Sequence, residues 1–184
     1  MNWESLFEVS YQKCYGLPED QLEHFLTQWH MPLSKEEIAE ISGNQRNPFP
    51  VSDPLHKLYQ PFDPAKWSIP NKPLPVDYLD FLRYSNGGEF RNGKRHFQFF
   101  GADELRALLL AYEFPEYMPG AVPFATDGCG NHYIWDMRAD RVNHEYPILV
   151  SHSGNLGYED AALIAGTFME LCRGTVSAEA MLHG

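Results

Sequence analysis

The stretch SNGGEFRNGKRHFQFF, residues 85–100, decides the fold. Its Asn-Gly-Gly segment at 86–88 supplies the left-handed backbone conformations that end a helix. Residues 92–93 are Asn-Gly, the dipeptide most typical of a tight type I′ turn, and β-forming residues lie on both sides of it. The stretch therefore predicts a helix followed directly by a two-stranded antiparallel hairpin.

The sequence on either side predicts more helices and strands. Pro75 suits the first turn of the helix before the hairpin, and apolar residues at helical spacing predict another helix near 105–112. Strands are predicted at 121–126, 131–137 and 146–150 from their β-forming residues. This order of helices and strands is typical of an α+β domain in which helices cover a mostly antiparallel sheet.

Two further segments are predicted to be helical. Residues 1–43 contain an apolar stripe at helical spacing, and a capping box at Ser34 and Glu37 begins a second helix within them. A long final helix, with Gly174 as its C′ residue, is predicted from the apolar residues of one face: Ala161, Ile164, Ala165, Phe168, Leu171 and Cys172.

A proline-rich segment divides the chain. Eight prolines between positions 48 and 75 exclude both a regular helix and a central strand. The many aromatic and aliphatic side chains of this segment favour a connector that packs against the main domain. We therefore expect a helical and proline-rich N-terminal extension at 1–69, packed on the core, and an α+β domain at 70–184.

Length and composition indicate one ordinary globular protein. The chain has 184 residues and a mass of 21.1 kDa, which is the size of a single domain. No apolar stretch approaches the roughly 20 residues that a membrane span needs, and the first residues do not resemble a secretory signal. We expect a cytoplasmic protein. The three cysteines are widely spaced and odd in number, so they do not predict a disulfide framework.

The charge balance is strongly acidic. Twenty-five acidic residues against fourteen basic ones give a formal net charge of -11, spread along the chain. A negative surface repels phosphate backbones and anionic lipids, which argues against nucleic-acid and membrane partners. It favours a basic protein partner, although negative charge also serves solubility alone.

The loop at 127–132 holds the densest cluster of reactive side chains. Cys129 and His132 have a spacing seen among metal ligands, but the second ligand pair of a zinc site is missing from the sequence. A Cys129 nucleophile needs a histidine such as His132 or His152 to lower its pKa, and no residue that would orient the histidine is evident from the sequence. A hydrolase that uses Cys129, His132 and Asp136 is an alternative. Asp127 and Asp136 could act as paired carboxylates, whereas turn chemistry and strand-end hydrogen bonds explain them without catalysis. We expect no catalytic residue, no metal and no cofactor.

An ordered set of short motifs extends over about residues 70–175: Leu74-Pro75, Ser85-Asn86-Gly87-Gly88-Glu89-Phe90, Asp127-Gly128-x-Gly130, Tyr133-x-x-Asp136, Pro147-Ile148, and Ile164-Ala165-x-x-Phe168-x-x-Leu171. In this order the motifs resemble the SUKH superfamily, which includes fungal glucan-synthesis regulators and many bacterial immunity proteins. The resemblance implies an α+β fold with a curved sheet wrapped by helices, used as a binding scaffold without an established catalytic site.

The same resemblance implies a function. Bacterial members are thought to neutralise toxin domains, often nucleases or deaminases, and the fungal branch regulates cell-wall assembly. The leading expectation is therefore an immunity protein that binds a basic toxin domain. A regulatory protein-interaction scaffold of the same fold is the alternative.

Partner contacts are expected from aromatic and acidic residues near loops. Aromatic side chains bury large areas at interfaces, and acidic side chains complement a basic partner. The candidates are Glu89, Tyr117, Asp127, Trp135 and Asp136. For Trp135, a place in the core is the competing interpretation, because a tryptophan on a strand is usually buried.

Overall fold

A computed structural model describes residues 2–182, and within them one open, curved antiparallel sheet is combined with α-helices, which confirms the α+β prediction. The strands follow one another in chain order across the sheet: β1 (Val9–Lys13), β2 (Gly88–Asn92), β3 (Arg95–Phe99), β4 (Ala121–Thr126), β5 (Asn131–Asp136), β6 (Ile148–His152) and β7 (Ala162–Ala165). The helices are α1 (Glu19–Trp29), α2 (Lys35–Asn44), α3 (Val76–Tyr84), α4 (Ala102–Ala111), α5 (Phe114–Tyr117), α6 (Phe168–Arg173) and α7 (Ala178–Leu182).

One face of the sheet carries an aromatic core. Phe81 of α3 packs on Phe99 with ring centroids 4.6 Å apart, and Phe168 of α6 contacts both rings. Farther along the sheet, Trp135 stacks on Phe124 at 4.1 Å. Such rings bury large apolar areas and pack in defined geometries, so they fix α3 and α6 against the sheet.

The second helical layer lies on the opposite side of β4 and β5. His132 of β5 is enclosed there by Tyr112 at the end of α4 and by Phe114 of α5, with ring centroids 4.4 and 5.3 Å away. α1 packs in turn against α4. The N-terminal helices therefore meet the main domain along α4.

The predicted hairpin is confirmed, but its turn differs from the expectation. Asn92 pairs with Arg95 in the ladder, so the two turn residues are Gly93 and Lys94. Gly93 has φ of 53°, and a glycine as the first central residue is typical of a type II′ turn rather than type I′. The Asn92 side chain instead accepts a hydrogen bond from the Glu8 N–H and donates to the Leu6 carbonyl.

Two helix predictions were wrong in part. Residues 9–13 form β1, which pairs with β2, and within the described residues 2–43 only α1, α2 and one short 3₁₀ turn are helical. The predicted helix over 161–172 is divided into β7 and α6, because the Thr167 side chain accepts a hydrogen bond from the Glu170 N–H and begins the helix there. Gly174 does follow α6, but with φ of -67° it is not a left-handed C′ glycine.

The proline-rich segment is irregular, with two 3₁₀ turns at Pro54–Lys57 and Pro64–Lys66. Gln45 exchanges two hydrogen bonds with the Phe62 backbone, and the Trp67 indole N–H donates to Glu116 at 2.7 Å. Leu22, Trp29 and Trp67 are buried in the same core as the sheet. The domain boundary between residues 69 and 70 stays a prediction.

Candidate functional site

Three adjoining depressions follow α4 along the protein surface, and we call them together the α4 groove. The first, of about 660 Å³, lies between α1 and the start of α4, and the second, of about 410 Å³, lies between α2 and α4. Asp103 and Arg106 line both of these. The third, of about 420 Å³, lies at the end of α4 and shares Ala111 and Glu113 with the second.

Carboxylates dominate the polar lining of the α4 groove. They are Asp20 on α1, Glu37 and Glu40 on α2, Asp103 on α4 and Glu113 after it. Among the described lining residues, the one guanidinium is that of Arg106, and it is committed to protein acceptors. A groove of this composition attracts cations.

Arg106 joins three helices. Its Nε and Nη2 atoms donate to the two carboxylate oxygens of Glu37, at 2.7 and 2.9 Å. The guanidinium also donates to the carbonyls of Met31 and Pro32, in the loop between α1 and α2, at 2.9 and 3.1 Å. A planar guanidinium suits such a fork of acceptors, so Arg106 fixes α1 and α2 relative to α4.

Glu113 has an unusual backbone and an unfavourable charge environment. Its φ and ψ of 57° and 31° are left-handed, a region that non-glycine residues seldom adopt. Partial burial and the neighbouring carboxylate of Glu116 raise the pKa of Glu113, against a lowering by a hydrogen bond with Tyr117. Strained residues of this kind occur preferentially at functional sites.

Aromatic side chains line the α4 groove at the end of α4. Tyr112 and Tyr117 are 40% and 47% exposed, and both line the third depression. Tyr117 packs edge-on against Phe62 of the proline-rich segment, at 5.5 Å between ring centroids. Tyrosine is enriched in protein interfaces relative to the rest of the surface.

Of the residues predicted from the sequence, Tyr117 lies in the α4 groove and Glu89 lies elsewhere. Glu89 is on β2, on the sheet face opposite the aromatic core, and its Oε1 is 2.9 Å from Nε2 of His96. The other ring nitrogen of His96 is 3.1 Å from the Asp127 carbonyl oxygen. The structure therefore does not bring Glu89 and Tyr117 into one site.

Asp127 and Asp136 have local partners. The buried Asp127 carboxylate accepts hydrogen bonds from the backbone N–H groups of Cys129 and Asn131, at 2.8 and 3.0 Å, and from the Asn131 side chain. Asp136 accepts two hydrogen bonds from the Arg138 guanidinium and one from the Arg138 backbone N–H, which lower the pKa of this carboxylate. Both carboxylates are thus used within their own turn or strand end.

Trp135 is 0% exposed and packs between Tyr78 and Phe124 in the core. The expectation that Trp135 contacts a partner is corrected accordingly, because this conformation offers none of its surface. The core interpretation that competed with it is the one that the structure supports.

The three residues of the hydrolase alternative are separated. Cys129 is exposed in the turn, whereas His132 is buried between two rings and burial lowers its pKa to about 4. Asp136 is four residues farther along β5, which is about 13 Å in a strand. Across residues 2–182, no group of three or more His, Cys, Asp or Glu side chains is placed to hold a metal ion.

The sequence interpretation missed most of the groove. Residues 103–116 contain four carboxylates and Arg106 as the only Lys or Arg, a local charge pattern that was available as a signal. The approach of α1 and α2 to this segment, in contrast, depends on long-range contacts that no local pattern shows.

The family model described as SMI1 / KNR4 family (SUKH-1) matches residues 65–173, which is more than half of the chain. The matched region contains α3 to α6, while α1 and α2 precede it. No curated protein matches the chain. None of the helices in the described part of the chain is long and apolar enough to cross a bilayer.

Proposed function

This chain belongs to the SMI1 / KNR4 family (SUKH-1), and from that membership we propose that it is a non-enzymatic immunity protein that neutralises a basic toxin domain by direct binding. Proteins of this family are often immunity proteins and are generally binding proteins rather than catalysts. The net charge of -11 supports a basic partner.

The observation that carries the proposal is the α4 groove. It combines five carboxylates and one committed guanidinium with exposed tyrosines at one end. A toxin that acts on nucleic acids is basic where it meets phosphate. An acidic groove competes for that surface, and long-range attraction accelerates the association.

Affinity capture tests the proposal. The tagged protein is expressed together with the products of its neighbouring genes, and capture is repeated at low and high salt. We expect one basic toxin-like protein that is retained at low salt and released at high salt, and growth protection when the two proteins are co-expressed. Recovery of a stable set of housekeeping proteins without any toxin would contradict the proposal and favour the regulatory scaffold.

A Cys129→Ala variant separates binding from catalysis. Cys129 is an exposed thiol outside the α4 groove. The variant is expected to retain full capture of the partner and full protection, because the proposal assigns no chemistry to the thiol. Loss of protection with capture intact would instead favour the hydrolase alternative.

A further inference from the structure

The α4 groove has two walls of different origin. α4 belongs to the region that the family model matches, whereas the facing wall is formed by α1 and α2, which lie before residue 65. A domain made only of the matched residues lacks this facing wall. The shape and charge of the groove therefore depend on the segment that precedes the family domain.

The facing wall is held in one position. Arg106 donates to Glu37 on α2 and to two carbonyls of the connecting loop, so that α1, α2 and α4 share one hydrogen-bonded anchor. The capping box of Ser34 and Glu37 starts α2 at the same point. A preorganised wall loses little conformational entropy when a partner binds.

The chemistry of the wall combines apolar and acidic groups. The half-buried Ile41 of α2 supplies apolar surface, with the exposed Ala107 and Ala111 of α4 opposite it, and Asp20 and Glu40 place carboxylates beside it. Phe25 and Trp29 of α1 are buried and support the wall from behind. Trp29 is 1% exposed, and its indole N–H has no acceptor among the described residues. The complement of this wall is a segment with apolar and cationic side chains on one face, which is the pattern of a basic amphipathic helix.

We infer that α1 and α2 determine which partner this chain binds, and that they and α4 take a basic amphipathic segment of that partner. The inference rests on the proposed function, which it deepens by naming the surface and the kind of segment. Along α4, whose ten residues extend about 15 Å, the groove accommodates two to three turns of a helix.

Binding of a designed peptide tests the inference. The probe is a fluorescent amphipathic peptide of about 14 residues built from Leu and Lys, long enough to follow α4, and its counterpart replaces every Lys by Glu. Fluorescence anisotropy at low ionic strength measures the affinity of the full chain for each peptide. We expect saturable binding of the Lys peptide and none of the Glu peptide.

Two double variants on the same helices locate the binding surface. Asp20→Asn with Glu40→Gln removes two carboxylates that line the groove. Glu23→Gln with Glu36→Gln removes two exposed carboxylates that do not line it, and each pair contains one residue in the first turn of its helix. The groove pair is expected to weaken binding roughly fivefold, whereas the control pair changes it less than about twofold.

The outcomes separate this inference from the proposed function. Equal weakening by both pairs, or no binding of the Lys peptide, would overturn the inference while a toxin captured from cells still supports immunity. Equal binding of the Lys and Glu peptides would count against a basic partner and therefore against both. Circular dichroism and thermal melting of each variant show whether any loss of binding reflects unfolding.

Discussion

The guanidinium of Arg106 on α4 donates two hydrogen bonds, 2.7 and 2.9 Å long, to the carboxylate of Glu37 on α2. Both side chains are largely shielded from solvent, with exposed fractions of 16% and 27%. Hydrogen bonding to Arg106 keeps the pKa of Glu37 below its usual value. Because no residue of α2 is fully buried, this ion pair is a main attachment of α2 to the protein.

Arg106→Ala is therefore expected to destabilise the protein by about 2 kcal/mol, a value between those of exposed and fully buried ion pairs. The substitution leaves Glu37 without its cation and frees the loop carbonyls between α1 and α2. Urea unfolding measures the change in the free energy of unfolding. Hydrogen exchange should show the largest loss of protection in α1 and α2.

A double-mutant cycle isolates the Arg106–Glu37 pair. We expect a coupling energy above about 1 kcal/mol for this pair. The exposed pair of Arg83 and Glu19, at 2.8 Å and with exposed fractions of 42% and 62%, is the control and should couple much more weakly, because solvent screens both charges. Equal coupling in the two cycles would show that Arg106 does not anchor α2.

The sequence predicted the fold where local chemistry determines the structure. The hairpin around residues 92–93 and the capping box at Ser34 and Glu37 depend on neighbouring residues, and both are present. β1 was missed because its side chains are mostly exposed and show no alternation, so it is specified by pairing with β2. β7 was missed because the apolar spacing of residues 161–165 suits either a helix or a strand.

The candidate site was less predictable than the fold. Residue type alone pointed to Tyr117, which lies in the groove. The same reasoning could not exclude Trp135, whose burial depends on packing by Tyr78 and Phe124. The contact between Arg106 and Glu37 joins residues 69 positions apart, and no sequence periodicity relates them.

Gly174→Ala is expected to destabilise the protein by about 2 kcal/mol through overpacking. A Cβ atom at this position would overlap the guanidinium of Arg95. Arg95 is buried and donates to the carbonyls of Leu171 and Val176, at 3.0 and 2.7 Å, so it cannot move without losing these hydrogen bonds. Urea unfolding of the variant and the wild type measures the difference.

Gly43→Ala is the matched control for this substitution. Gly43 lies in α2, and nothing is within 4 Å of the position that its Cβ would occupy. Alanine has the higher helix propensity, so a gain of about 0.5 kcal/mol is expected. A gain at Gly174 as well would show that the close approach of Arg95 does not constrain that position.

Burial of His132 makes stability depend on pH. Its pKa is lowered to about 4 in the folded protein, below the ordinary value of 6.5, because burial disfavours the imidazolium. The unfolded chain therefore binds more protons between pH 6.5 and 4, and stability is lost as pH falls through this window. At pH 5 the loss is about 2 kcal/mol relative to pH 7.

His132→Gln should flatten this dependence. Urea unfolding at pH 7 and pH 5 gives the difference for the wild type, for this variant and for His24→Gln, which removes an exposed histidine. Carboxylates such as Glu37, whose pKa is lowered by Arg106, lose their contribution at lower pH, whereas burial raises the pKa of Glu113 and Glu145, whose contributions increase as pH falls. The difference between the wild type and the variant cancels these contributions and leaves that of His132. A slope in His132→Gln equal to that of the wild type would contradict the assignment.

Glu113→Gly is expected to stabilise the protein by about 0.5–1 kcal/mol and to weaken partner binding at the same time. Glycine adopts the left-handed backbone of position 113 without steric cost, but the substitution removes a carboxylate from the α4 groove.

His144→Gly is the matched control, because His144 also has a positive φ, 68°, and does not line the groove. It should give a similar gain in stability with binding unchanged. Thermal unfolding and peptide anisotropy measure the two effects, and a Glu113→Gly variant that binds as tightly as the wild type would indicate that the Glu113 carboxylate does not contribute to binding.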